Sequence, residues 1–458
     1  MKIPQKLIEK YNVATPRYTS YPPANFFDKI NSKKYLEAVK NSNNSWEKNI
    51  SFYIHIPFCK NLCFYCGCNM MLLNSKIMVE QYFKALENEI KIVLQKIDKT
   101  RKLSQIHYGW WTPNAVDIKY LQKINKIFLD NFETIEKPEI AIEAHPAHLD
   151  ENYINWIIDA WFNRISLWIQ DFNLEVLKNV NRLPPKLKIE EIFRIFREKK
   201  PDISINLDFI YGLPWQTIKS FEETIKKAIK LKPNRLVTFS YAHIPSLKTH
   251  QNVLEKIWLP SLEEKAKMYE NSRKILVEAS YKIIWLDHYV LENDELNIAL
   301  NNKKLARNFQ WYCTKKTTWQ VYAFWVSAIS QLESGFFQNT KKIDEYIKNL
   351  NKNILATEKW LIFKQKEKII WKAIENLMCN YYLDLEEISK IFSVEIEKLK
   401  EILDFNKKNF EEFIKDDLII LEKNILKVTN LWKFFIRNIA SSIDPEYKKT
   451  KKIFSKSI

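Results

Sequence analysis

The chain has 458 residues, 46% apolar and 14% aromatic, enough for a large α/β domain with a smaller unit and too apolar for global disorder. A net charge of +17 comes from 72 Lys+Arg against 55 Asp+Glu, but only 10 of those cations are Arg. Lysine this diffuse lacks the arginine face of a nucleic-acid reader, no run of about 18 apolar residues offers a membrane span, and the start MKIPQKLIEKYN lacks a secretory apolar core.

A polar, turn-rich arm fills residues 1–48 and contains YNVATPRYTSYPPANFF. Six apolar strands follow, at 50–57, 105–109, 139–146, 164–171, 204–212 and 235–245. Helical periodicity lies between them, for example at 79–97 and 220–232. Alternation of this kind predicts a parallel sheet with right-handed crossovers. Polar residues gather near the strand C-termini (Cys59, Gly109, Glu143, Gln170, Asp208, His243), which favours a partial (β/α)6 barrel over a doubly wound sheet. Weaker periodicity runs on to about 345, so the barrel and its extension span 49–345. Residues 346–458 read as a mainly helical unit with a hairpin at 417–430, either a winged-helix module or, as preferred here, a helical cap.

Four of the six cysteines fall within residues 59–68, in YIHIPFCKNLCFYCGCN. A disulfide framework would spread its cysteines, so this cluster indicates a metal site in a reducing cytoplasm. Cys59, Cys63 and Cys66 give a C-x3-C-x2-C spacing directly after a strand. Three thiolates on a cubane leave one iron open to a chelating cofactor. Zinc, with Cys68 as fourth ligand, is the weaker alternative, because zinc sites pair C-x2-C with a distant second pair.

With these residues the chain resembles the radical S-adenosylmethionine superfamily, and within it the oxygen-independent coproporphyrinogen III oxidases. The similarity runs through PRYTSYP, IEAHP, QDFN, NLDFIYGLP, YAHIP, ARNFQ, VSAIS, IRNIA and FSKSI. It implies an α/β radical SAM barrel with a [4Fe-4S] cluster on Cys59, Cys63 and Cys66. A first S-adenosylmethionine would chelate the open iron, positioned by Tyr53, the turn at Trp110, Glu143 and Ile329. A second would be lined by Tyr65, Gly67, Trp111, Thr112, Gln170, Arg182, Asp208 and Ala242.

The implied reaction is oxidative decarboxylation of two propionates of coproporphyrinogen III to vinyl groups by a 5′-deoxyadenosyl radical, giving protoporphyrinogen IX in haem biosynthesis. The implied enzyme is a cytoplasmic monomer fed by a low-potential electron donor, with no nucleic acid and no membrane partner. Arg17 and Arg307 are candidates to meet the substrate carboxylates. A haem-binding, chaperone-like relative without decarboxylase activity is the alternative. Taken singly, Glu143 and Asp208 also fit helix caps, and Tyr53 fits core packing.

One departure is systematic. The chain has 4 Gly, where average usage of about 7% would give roughly 32, and 15 Trp. Trp110, Trp111, Trp161, Trp168, Trp215, Trp285, Trp311, Trp325 and Trp432 stand where the family has or commonly has glycine, as in GWWTP for GGGTP. UGA is read as tryptophan under one genetic code and as glycine under another, so one decoding difference accounts for both anomalies. The expectation is that most of these tryptophans are glycine natively.

Overall fold

The computed structural model describes residues 4–18, 20–45, 47–68, 70–109, 112–308, 312–314, 320–429, 433–450 and 454. Its frame is six parallel strands: β1 (Asn49–His55), β2 (Lys102–Gly109), β3 (Thr134–Ala144), β4 (Arg164–Gln170), β5 (Ser204–Tyr211) and β6 (Arg235–Ser240). Each pairs in parallel with the next, in the order of the sequence. The mixed α/β architecture with a partial barrel is the expected one.

Along each strand the alternation is the reverse of a half-exposed sheet. Ile106, Tyr108, Ile140, Ile142, Ile165, Leu167, Ile205 and Leu207 point outward into the main core, under helices such as Lys76–Leu94 and Ile218–Lys230. Gln105, His107, Glu139, Glu143, Arg164, Ser166 and Asn206 line the interior cavity. A period of two therefore separates a helix-packing face from a chemical one. At the N-terminal end of the barrel, Arg164 pairs with Glu139 at 2.7 Å, and Arg235 with Asp294 at 2.6 Å and Glu295 at 3.1 Å.

Periodicity understates the sheet outside the barrel. Strand β7 (His288–Val290) joins β6 antiparallel. On the other side, β8 (Val321–Phe324) lies parallel to β1 and leads into the antiparallel run β9 (Ile329–Leu332), β10 (Gly335–Asn339) and β11 (Thr357–Ile362). Among the described residues the sheet reaches thirteen strands. Strands β8, β9 and β10 are short and follow one another antiparallel, and the eight-residue helix Ile343–Leu350 before β11 also joins antiparallel strands, so the segment gives no regular β-α repeat.

The arm is more ordered than its turn-rich composition suggests, with helices at Gln5–Tyr11 and Lys33–Asn41. Ile8, Tyr11, Tyr18 and Tyr21 enter a second core shared with Leu385, Ile388, Phe410, Ile436 and Ile439. In the C-terminal part, helices Leu385–Phe392, Ile396–Ile402 and Lys407–Lys415 precede a hairpin of Ile419–Glu422 and Ile425–Val428, and Tyr382–Asp384 adds a third strand. None of the helices among the described residues is long and apolar enough to cross a membrane.

Three tryptophans from the glycine-type positions sit where glycine is favoured: φ is +67° at Trp161, +65° at Trp215 and +123° at Trp325. Bulky side chains rarely enter this region. Trp161 and Trp215 are exposed, whereas Trp325 is fully buried. Trp168 and Trp285 have no such φ, and Trp110, Trp111, Trp311 and Trp432 lie outside the described residues.

Candidate active site at the barrel mouth

The cysteine loop leaves the top of β1. Cys59 ends a two-residue strand paired with Met71–Leu72, and beyond it the backbone turns with one internal bond, Cys66 N–H to Cys63 O at 3.0 Å. Cys59 is buried and its Sγ is 3.2 Å from Thr112 Oγ1; burial raises its thiol to about 12. Cys66 is drawn down to about 7, first by a hydrogen bond from Cys68, with Lys248 and Arg182 adding positive charge. Thus Cys68 sits against the Cys66 thiol.

Arg182 is a buried cation of the site. It donates to Tyr65 Oη at 3.0 Å, to the Trp168 carbonyl, and toward Cys63 Sγ at 3.7 Å. Among the described residues, no three Cys, His, Asp or Glu side chains converge closely enough to hold a single ion. Cys59, Cys63 and Cys66 nonetheless sense one another electrostatically around one loop. Three soft thiols at this wider spacing, beside a guanidinium, suit a multi-iron cluster better than one zinc ion.

The remaining residues line the mouth and upper interior. Glu143 is buried and meets His107 Nε2 at 3.3 Å. Asp208 accepts from Ser166 Oγ at 2.5 Å and Asn206 Nδ2 at 2.9 Å; burial lifts its carboxyl to about 7. Neither is the N-cap of a helix, so the capping explanation falls for both. Tyr53 is buried with its ring stacked on His107, 5.9 Å between centroids, and its hydroxyl has no partner among the described residues. Gln170 ends β4 at φ +69°, with a buried, unpartnered Oε1. A buried phenol and a buried amide without partners in a polar interior are groups that a bound polar molecule would satisfy.

Gly109 stands where a Cβ would meet Glu143 Oε1 and His107 Nε2 at 2.9 Å, and beside Gly67 the same position is open. Ile329 is less central: it starts β9, two strands out from Tyr53 on β1. Ala242 is held just past β6, its carbonyl accepting from Gln251. Trp110 and Trp111, the expected cofactor turn, lie outside the described residues.

Three groups escaped the sequence reading. Lys248, His250 and Gln251 each donate to a carbonyl of the cysteine loop. They lie some 180 residues from it and act on backbone, so no motif signals them.

A six-stranded barrel with three thiols at the mouth defines a radical S-adenosylmethionine protein, and residues 53–228 match the family model described as the Radical SAM superfamily. Along nearly its whole length the chain is similar to curated oxygen-independent coproporphyrinogen III oxidases. The Synechocystis protein is 33% identical over 99% of this chain and 97% of its own, and the Helicobacter pylori protein 32% identical over 98% of both. The solved structure of Escherichia coli coproporphyrinogen III oxidase, described as a radical SAM enzyme, superposes with a TM-score of 0.88 at 31% identity, covering 97% of this chain and 99% of that one. The chain belongs to the oxygen-independent coproporphyrinogen III oxidase family.

Proposed function

We propose that this protein is an oxygen-independent coproporphyrinogen III dehydrogenase, converting two propionates of coproporphyrinogen III to vinyl groups in haem biosynthesis. The observation that carries the reading is end-to-end likeness to the named oxidases, from arm to C-terminal unit, with the three-cysteine loop in place at the mouth of the barrel.

Cys59, Cys63 and Cys66 would hold a [4Fe-4S] cluster, and Tyr53, Glu143, Gln170, Arg182 and Asp208 present polar groups to S-adenosylmethionine, one molecule or two. Bound together, these groups supply one-electron reductive cleavage and hydrogen-atom abstraction. The chain supplies the surroundings. Arg182 offsets thiolate charge beside Cys63, Glu143 offers an acceptor for an amine or a hydroxyl, and the barrel encloses the reaction away from water and oxygen. Arg17 is exposed, within electrostatic reach of Arg307 and Asp287, so two guanidiniums sit near one another for substrate carboxylates. Electrons would come from a low-potential donor. The protein would work in the cytoplasm as a monomer without nucleic acid or membrane, in keeping with its diffuse lysine.

Anaerobic reconstitution with iron, sulfide, S-adenosylmethionine and reductant tests the reading. Product lighter than substrate by two CO2 and four hydrogen atoms supports it. Haem binding without turnover would replace it with the chaperone-like alternative.

A further inference from the structure

The cysteine loop lacks regular structure between Cys59 and Cys68, so its carbonyls need partners from elsewhere. Three of them find those partners in one short segment after β6. Lys248 Nζ donates to Cys68 O at 2.7 Å, His250 Nε2 to Cys66 O at 2.7 Å, and Gln251 Nε2 to Tyr65 O at 2.9 Å. The helical turn Thr249–Gln251 brings the three side chains to one side. A carbonyl only accepts, so His250 carries its proton on Nε2.

Gln251 is fully buried and uses both ends of its amide: its Oε1 also accepts from Ile244 N–H at 2.6 Å. The segment is anchored in turn, since Lys265 Nζ donates to Tyr241 O at 2.9 Å. It follows the sixth strand and the cysteine loop follows the first, so the contact ties the two ends of the open barrel together across its mouth.

We propose that Lys248, His250 and Gln251 are positioning residues that clamp the cysteine loop in its cluster-holding shape, with the Lys248 ammonium a fixed positive charge that favours the reduced cluster. This rests on reading the loop as the cluster site. The chemistry is carbonyl capture and through-space charge, and none of the three touches substrate. Reduction adds an electron, so a cation beside the cluster stabilises the reduced form and its removal moves the midpoint potential negative.

Lys248 and His250 are half-buried at the surface, so their loss leaves the cores intact. The test compares parent, K248M, K248R and H250A after anaerobic reconstitution, by loss of cluster absorbance to an iron chelator and by EPR-monitored redox titration. Residues that hold metal ligands in place typically contribute about 10–100-fold to metal retention. K248M and H250A should each lose cluster roughly tenfold faster at an unchanged melting temperature. K248M should titrate at a more negative potential, and K248R should return it toward the parent. A parent that takes up cluster, with K248M and H250A matching it in retention and potential, overturns the clamp alone. A parent that takes up no cluster overturns the clamp and the cluster reading together.

Discussion

Trp325 and His55 stand with ring centroids 3.1 Å apart at 37°, closer than two tilted rings pack without overlap. The indole is fully buried, its Nε1 has no partner among the described residues, and its backbone holds φ +123°. A glycine would remove all three conflicts. Its N–H would still donate to Glu89 Oε2 at 2.9 Å, the contact that fixes this turn to Lys76–Leu94.

W325G is therefore expected to raise the melting temperature, against the usual rule that emptying a core destabilises. W161G and W215G, at exposed left-handed positions, should each add about 1 kcal/mol, the low end of the roughly 1–3 kcal/mol cost of such strain. Thermal melts of the three variants decide this, and the gene adds a direct check. UGA codons at the nine positions support native glycine, and UGG at Trp325 with a lower melting temperature for W325G would end the idea.

The barrel was legible in the sequence because its strands carry a two-residue alternation and are separated by full helices. Glu143 and Asp208 were visible as polar residues gathered at strand C-termini, whereas Arg182 came only from the family resemblance. The strands between 282 and 362 were not, because segments of two to six residues leave too short a pattern. Lys248, His250 and Gln251 were hidden for another reason: a side chain that caps a distant carbonyl leaves no local trace.

Removing each cysteine should separate ligands from neighbours. C59A, C63A and C66A should each lose most of the iron and sulfide bound on anaerobic reconstitution, because two thiolates do not hold a cubane. C68A should keep it, since Cys68 acts as a hydrogen-bond donor to Cys66. Iron and sulfide analysis reads this directly, and cluster loss in C68A at parental retention in C59A would reverse the assignment.

Asp208 predicts a pH dependence whose sign is opposite to that of an ordinary surface carboxylate. Burial lifts its pKa to about 7 in the folded protein, whereas an unfolded Asp titrates near 3.9. Between those values the folded chain keeps a proton that the unfolded chain has released. This contribution to stability is thus complete below about pH 4 and is lost as pH rises through about 7. D208N should flatten the fall in stability from pH 5 to pH 7, measured by urea unfolding, while its side-chain oxygen still accepts from Ser166 or Asn206. Parallel pH profiles for D208N and parent would refute the assignment.

Glu89 is a structural counterpart in the main core. It is buried and accepts from Tyr346 Oη at 2.6 Å, Asn339 Nδ2 at 2.6 Å and Trp325 N–H at 2.9 Å. E89A leaves three buried donors without their acceptor, at about 1–3 kcal/mol each. Unfolding by urea should show a loss of at least about 3 kcal/mol, and a loss below about 1 kcal/mol would mean that the turn at 325 is held by other contacts.

The arm is held from the C-terminal side by contacts more than 400 residues apart in sequence. Arg437 donates to Thr15 O at 2.6 Å and Pro16 O at 3.2 Å, Asn438 Nδ2 to Tyr11 O at 2.9 Å, and the hydroxyls of Tyr18 and Tyr21 both donate to buried Asp444 at 3.0 Å. Arg17 lies inside this clasp yet is itself exposed, and it senses both Arg307 and Asp287. Its own loss should therefore cost little stability. If it meets a substrate carboxylate, R17A should raise KM about tenfold, the weight of one charge-assisted hydrogen bond, at nearly constant kcat and melting temperature. D444A acts on the clasp, so it should lower the melting temperature as well as raise KM, and should speed proteolytic cleavage of the arm. Steady-state kinetics under strict anoxia with both variants reads the difference. An unchanged KM in R17A would remove Arg17 from substrate binding and leave the clasp a purely structural device.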